Sequence, residues 1–382
     1  MTASDHSSAL FERRAGFLEA LSARNLAGAV VCSPEAVTWL SGATIPTQRI
    51  MRDRLSMVVA SVATGSVELL TSTVEVNMAT RQTSIPVGSY VEFAEEPIVA
   101  GVRRLRAMDP KATRIGIETG YLSVDAFTRL QAQLSDPIYE PLGDWFPQLR
   151  QVKDTYEIDL LGELGRHSES IVADVFAGAY VGVTERRLYN DMLRGVHERG
   201  FALNHATLSS GANVNRSHHR ADETPLSPGD LVRVDMGVSS GGYVSDIARM
   251  AVVGEPSARQ ASRYRHAVEA ERWMIDRMRP GVDVPDLFRQ WRQRLDQVGA
   301  STSMALVAHG IGLALHEDPQ LQRRSVQDLR PGMVLCVEPM IEYPDGEVYH
   351  IEDLVLVTES APRYLTDPAG VEAITVISGG SA

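Results

Sequence analysis

The sequence predicts an α/β (α+β) fold in two parts. Strand-like apolar runs alternate with helical periodicity up to Glu140, a proline-marked stretch follows, and beyond Phe201 the pattern turns to strands and tight turns. Apolar positions recur at helical spacing from Ser8 to Arg24, and Ala27 to Cys32 reads as a buried strand. Further strands are expected at Leu55 to Ala63, Val67 to Thr71, Tyr90 to Phe93 and Arg114 to Ile117, with helices at Ile98 to Met108 and Val124 to Leu134. Pro141 and Pro147 mark a boundary within Glu140 to Gln151, so the expected domains are residues 1–150 and 151–382. Long helices should follow from Thr155 to Tyr180 and from Glu185 to Arg199. Helices near Ala258 to Met278 and Val284 to Val298 then interrupt the strands.

A length of 382 residues suits two domains with their own cores, and 44% hydrophobic with 6% aromatic residues describes a globular chain. The formal net charge of -12 argues against nucleic acid as a partner. No cluster of Lys and Arg is dense enough to track phosphates, and Arg103-Arg104 and Arg323-Arg324 read as solvated faces. Cys32 and Cys336 sit inside apolar runs and read as small buried residues of a reducing compartment. Met1 to Leu10 lacks the apolar core of a signal peptide, and no stretch has the length to span a bilayer. A cytoplasmic location with no membrane partner is therefore expected.

Asp235, Asp246, His309, Glu338 and Glu352 read together as ligands of two divalent metal ions. Asp235 closes the apolar run from Leu231, and Asp246 follows the Gly241-Gly242 turn, which puts the two carboxylates on facing arms of a β-hairpin. His309 opens His309-Gly310-Ile311-Gly312, Glu338 ends the strand-like Met333 to Val337, and Glu352 precedes the apolar run Leu354 to Val357. Any one of these positions, taken alone, reads as a turn or cap residue. As a set they answer a charge problem. Two dications a few ångströms apart repel, and four carboxylates with one neutral imidazole cancel that charge while leaving room for a bridging water. Oxygen-rich ligation with one nitrogen suits manganese first, and cobalt or zinc as well.

Five blocks carry a family likeness: Pro228 to Asp235, Gly242 to Ile247, His309 to Gly312 with His316-Glu317, Val337-Glu338-Pro339, and Ile351-Glu352-Asp353. With them the chain resembles the metallopeptidases of the pita-bread fold, the group of prolidase, aminopeptidase P, methionine aminopeptidase and creatinase. The likeness is sharp from Val152 onward and looser before it. It implies a creatinase-type amino-terminal domain followed by a pita-bread catalytic domain, whose curved, mostly antiparallel sheet is covered by helices and is internally pseudo-symmetric. Creatinase has lost the metal ligands, so their presence here resembles the metal-dependent branch. The resemblance also implies a homodimer acting on a short peptide or small amide, with a Xaa-Pro bond as the first target.

On the same resemblance, Asp246 and Glu352 bridge the metals, Asp235 holds the first, and His309 and Glu338 hold the second. Glu338 is also the implied base that takes the proton of the water attacking the carbonyl. His218 stands at the family's distance before Asp235, and His316 stands seven residues after His309. The family uses such histidines to face the substrate and steady its negative oxygen. His219 and His350 complete the expected substrate pocket.

Three positions depart from the proline-specific members. Ala305 and His350 stand where histidine and arginine are usual, and Ala248 stands where threonine commonly follows the Asp-Ile pair. None is a ligand, so metal binding is expected to survive while the pocket is open to change. Two rival readings follow. One is hydrolysis, or a lyase reaction, on a small non-peptide substrate, as in creatinase- or ectoine-hydrolase-like enzymes. The other is a catalytically silent binding protein, against which the five retained ligands argue.

Overall fold

The chain divides into two units, Met1–Arg150 and Gln151–Ala382, in the computed structural model, which describes residues 3–322 and 328–378. The pair Arg323-Arg324 lies outside the described residues. Among those described, no helix is long and apolar enough to cross a membrane.

In the first unit, helix Ala3–Ala23 precedes a six-stranded mixed sheet. Its order is Val87–Tyr90, Ser66–Ser72, Met57–Ser61, Gly28–Val31, Arg114–Ile117, Ile138–Pro141. Helices Pro97–Met108 and Val124–Gln133 bury Ile98, Val102, Leu105 and Leu130 against Val30, Met57 and Ile115 of the sheet. Two elements differ from expectation. The strand expected at Tyr90 to Phe93 runs instead over Val87–Tyr90, in parallel register with Leu69 to Ser72, while Phe93 has a φ of 64° and is 93% exposed. The edge strand Ile138–Pro141 begins before the expected boundary stretch and carries no apolar alternation to betray it.

The second unit opens with helix Thr155–Ala177, started by an Asp154–Glu157 capping box and ended at Gly178, short of the Tyr180 expected. Helix Glu185–Glu198 follows, then strands Ala202–Ser210, Leu231–Ser240, Tyr243–Val244 and Ile247–Val253. Helices Ala258–Ile275 and Val284–Gln297 precede the strands Leu306–Gly310, Glu317–Gln322, Val334–Val337 and Asp353–Leu356. Two helices followed by a sheet thus occur twice. Pairing is antiparallel in both five-stranded sheets except where Thr375–Ile377 joins Ile247–Val253. Trp291, Phe288, Leu335, Tyr349 and Ile351 share one buried apolar cluster of this mostly antiparallel α/β unit.

Candidate metal centre

The strand Leu231–Ser240 sets the first side of the site. Alternate residues of a strand share a face, so Arg233, Asp235 and Gly237 point one way. Ile247–Val253 runs back beside it with Ala248 opposite Asp235, and Asp246 stands one residue before that strand begins. Gly237 makes this return possible, because a Cβ there would lie 1.8 Å from the Ser245 carbonyl oxygen. The second sheet supplies the other side. His309 pairs with Cys336 across the strands Leu306–Gly310 and Val334–Val337, and Glu338 follows the latter strand directly. Glu352 donates its backbone N–H to the Ala248 carbonyl at 3.2 Å, an isolated bridge that joins the two sheets at the site. Ala248 therefore touches both carboxylate-bearing segments.

The structure brings the five residues together. Ligand-capable atoms lie within 4.8 Å of one another in three overlapping groups: Asp246, His309, Cys336 and Glu352; His309, His316 and Glu338; and His205, Asp235 and Asp246. His309 Nε2 is 3.7 Å from Asp246 Oδ2 and 3.5 Å from Glu338 Oε1. Its Nδ1–H donates to the Gly310 carbonyl at 3.0 Å, which leaves the lone pair on Nε2 facing those carboxylates.

Charge and burial conflict here. Burial, then the neighbouring Asp246 and Asp235, pushes Glu338 up to about 8, and burial with the same neighbours raises Glu352 well above the ordinary carboxylate range. Burial, seconded by His316, lowers His309 to about 4, so the imidazole is neutral. His309 Nε2, Glu338 Oε1 and Glu352 Oε2 are buried and have no hydrogen-bond partner. Buried acceptors left unpaired in this way cost free energy that a cation would recover. Four carboxylates and a neutral imidazole, with acceptor atoms unpaired and convergent, fit a divalent metal centre.

A cavity of about 780 Å³ opens onto Asp235, Asp246, Glu338 and Glu352. His218, exposed and at a φ of 54°, lines it together with His219 and His316. The His316 ring stacks on His309 with centroids 3.9 Å apart. His219 is held by a 2.7 Å contact between Nε2 and Glu185 Oε2. His350 is corrected: it is 5% exposed and is not among the residues lining the cavity, because its strand Val348–His350 turns it into the protein beside Arg233 and Asp235. Ala305 is exposed at the surface.

Three groups were not expected from sequence. His205 Nε2 lies 2.9 Å from Asp246 Oδ1 and 3.1 Å from Asp235 Oδ1. Burial disfavours its charged form, yet the bonds to Asp235 and Asp246 prevail and lift it to about 10. Buried Arg249 donates to the Glu352 carbonyl at 2.7 Å and to Asp353 Oδ1 at 2.6 Å, fixing the backbone beside Glu352. Lys153 Nζ lies 2.7 Å from Glu317 Oε2, while Glu317 Oε1 accepts the N–H groups of Leu313 and Ala314, so this pair clamps the loop that carries His316. The sequence shows a histidine inside a strand run for the first, but not the face it takes, which the register shift before it decides. Arg249 and Lys153 offer no signal without the tertiary fold.

The family profile described as Metallopeptidase family M24 matches residues 159–359, and the Creatinase/Prolidase N-terminal domain profile matches residues 13–152. The chain is 26% identical over 298 residues to the Xaa-Pro dipeptidase of Pyrococcus furiosus, covering 76% of this chain and 82% of that protein. It is 33% identical over 219 residues to a probable dipeptidase, PepE, of Mycobacterium tuberculosis, covering 56% and 58%. The fold is similar to that of the X-Pro aminopeptidase from Thermotoga maritima, at a TM-score of 0.82 and 22% identity over 95% of this chain and 99% of that one. Dipeptidase PepE from Mycobacterium ulcerans is similar at a TM-score of 0.80 and 26% identity, covering 97% and 98%.

Proposed function

The chain belongs to metallopeptidase family M24, and on that premise we propose that it hydrolyses short peptides at Xaa-Pro bonds with two divalent ions, manganese before cobalt or zinc. The observation that carries this reading is the convergence of unpaired buried acceptors, His309 Nε2, Glu338 Oε1 and Glu352 Oε2, beside a cavity that Glu338 and Glu352 line and that is sized for a small ligand. Asp235, Asp246, His309, Glu338 and Glu352 would hold the ions. When bound, the ions supply positive charge that acidifies water and polarises a carbonyl.

The chain's own groups do the rest. Glu338 lines the cavity and receives the proton of the attacking water. His316, stacked on His309, and His218 donate hydrogen bonds to the oxygen that becomes negative. His219 shapes the wall, and Arg220 beside it suits the carboxylate of a short peptide. The likeness to the Pyrococcus Xaa-Pro dipeptidase supports this substrate class.

Residues 1–150 form the creatinase-like amino-terminal domain and residues 151–382 the catalytic domain in this reading, and the enzyme works as a homodimer. Two free buried cysteines, Cys32 and Cys336, support a reducing, cytoplasmic setting.

A second reading, a small non-peptide C–N substrate, is favoured by Ala305, which stands where histidine is usual in proline-specific members. A panel of Xaa-Pro dipeptides and tripeptides assayed after manganese loading decides between them. Turnover of at least one is expected; turnover of none, with hydrolysis of small N-acylated or amidine substrates, overturns the peptidase reading.

A further inference from the structure

His205 lies on strand Ala202–Ser210, where the register against Leu231–Ser240 slips between Leu203 and His205, so that Asn204 bulges. A bulge re-aims the side chains that follow it. Beyond it His205 pairs with Gly237 and Thr207 with Asp235, which puts His205 on the same face as the aspartate. The glycine is required twice over: a Cβ at 237 would lie 2.9 Å from His205 Cε1 as well as 1.8 Å from the Ser245 carbonyl. The imidazole thus enters the site through a space kept open for it, and Nε2 stops between Asp246 Oδ1 at 2.9 Å and Asp235 Oδ1 at 3.1 Å.

From this geometry we infer that His205 is a sixth metal ligand, giving the ion held by Asp235 and Asp246 a nitrogen donor of its own. The inference rests on the metal-dependent reading above. His309 serves the Glu338 side and His205 the Asp235 side, so each ion has one imidazole. Asn204 completes the arrangement. Its side-chain amide lies 3.1 Å from His205 Nδ1, and with its oxygen turned to the ring it accepts the Nδ1–H while Nε2 keeps the lone pair for metal. A second nitrogen shifts the preference of the pair from manganese toward cobalt or zinc.

The competing role is a counter-cation, in which protonated His205 hydrogen-bonds both aspartates and is displaced by metal. The two roles predict opposite signs. As a ligand, His205 strengthens metal binding, and His205→Ala weakens uptake of one of two equivalents by on the order of 10- to 100-fold. As a counter-cation it competes with metal, and its removal tightens binding or leaves it unchanged.

The test titrates the full-length apo-protein with Co2+ and Zn2+ by calorimetry and counts imidazoles per metal by X-ray absorption of the cobalt form. Wild type should take up two equivalents with one imidazole for each cobalt, and His205→Ala should lose affinity at one site and half the imidazole signal. His205→Gln keeps a donor to the aspartates and guards against misfolding; it should match His205→Ala in metal affinity while retaining the wild-type melting temperature. Two equivalents bound by wild type and variants alike, with unchanged spectra, overturn the His205 role and leave the metal centre standing. No uptake by wild type overturns both.

Discussion

Glu185, wholly buried at the start of a helix, holds His219 through a 2.7 Å contact between Oε2 and the imidazole Nε2. Its other oxygen accepts the Ser210 N–H at 2.7 Å, the Ser210 hydroxyl at 2.8 Å and the Asn213 amide at 3.1 Å. One carboxylate thereby ties a helix terminus, a strand end and the histidine loop together. Glu185→Ala leaves several buried donors unpaired, and a loss of about 3–5 kcal/mol in denaturant unfolding is expected. Glu185→Gln keeps the shape but presents an NH2 where donors already crowd, so it should be intermediate in stability and still reduce turnover by loosening His219.

Gly237 admits both the Ser245 carbonyl and the His205 ring, so Gly237→Ala forces backbone apart at the one place where Asp246 is positioned. Overpacking of this kind costs about 1–3 kcal/mol, and a backbone clash stands at the upper end. Thermal unfolding and metal content, measured on one preparation, should fall together. A variant with native metal content and melting temperature would show that the strand return is looser than the structure has it.

The five residues of the candidate metal centre were legible in the sequence as a set, through the family blocks around them; each alone stands at the end or edge of an apolar run and reads as a turn or cap residue. His205 was not legible, since its direction depends on a bulge at Asn204 and on a glycine of another strand, neither of which leaves a periodic trace. Glu185 read only as the first residue of a helix, and Arg249 was not singled out; their roles appear when distant segments close on them. His350 was expected to face substrate through its place two residues before Glu352, but pairing of Val348–His350 with Met340–Glu342 sets it inward. In the first unit the helices with clear periodicity fell where expected, while the edge strands Val87–Tyr90 and Ile138–Pro141 lacked the apolar alternation that marks a half-buried strand.

Metal removal should expose the charge conflict at the centre. Asp246, Glu338 and Glu352 are buried together and each is raised above the carboxylate range, with burial as the first cause. Chelation is expected to lower the unfolding midpoint, and metal restored at 100 times its dissociation constant should recover about 2.7 kcal/mol. Glu338→Gln removes one repelling carboxylate, so the apo form should be no less stable than wild-type apo protein. Its turnover should nevertheless fall by about 10²–10⁴-fold through loss of the base. Calorimetry of apo and loaded forms, with kcat on the same samples, checks both halves; a loaded Glu338→Gln variant with wild-type kcat excludes the base role.

Arg249 links the site to the core behind it. Its guanidinium bonds Asp353 Oδ1 at 2.6 Å, Glu169 Oε1 at 2.5 Å and the carbonyls of Glu352 and Ala248 at 2.7 and 3.0 Å, so it neutralises two acids while holding the bridge between the sheets. Lysine carries the charge but has no planar fork to reach four acceptors. Arg249→Lys should keep the ion pairs in part and release the Glu352 carbonyl, lowering metal affinity more than stability. Arg249→Met leaves Asp353 and Glu169 without a cation and should cost about 3–5 kcal/mol. Unfolding free energies and metal dissociation constants of the two variants separate these effects. Equal losses of stability with unchanged metal affinity would mean that Arg249 supports the core alone and does not position Glu352.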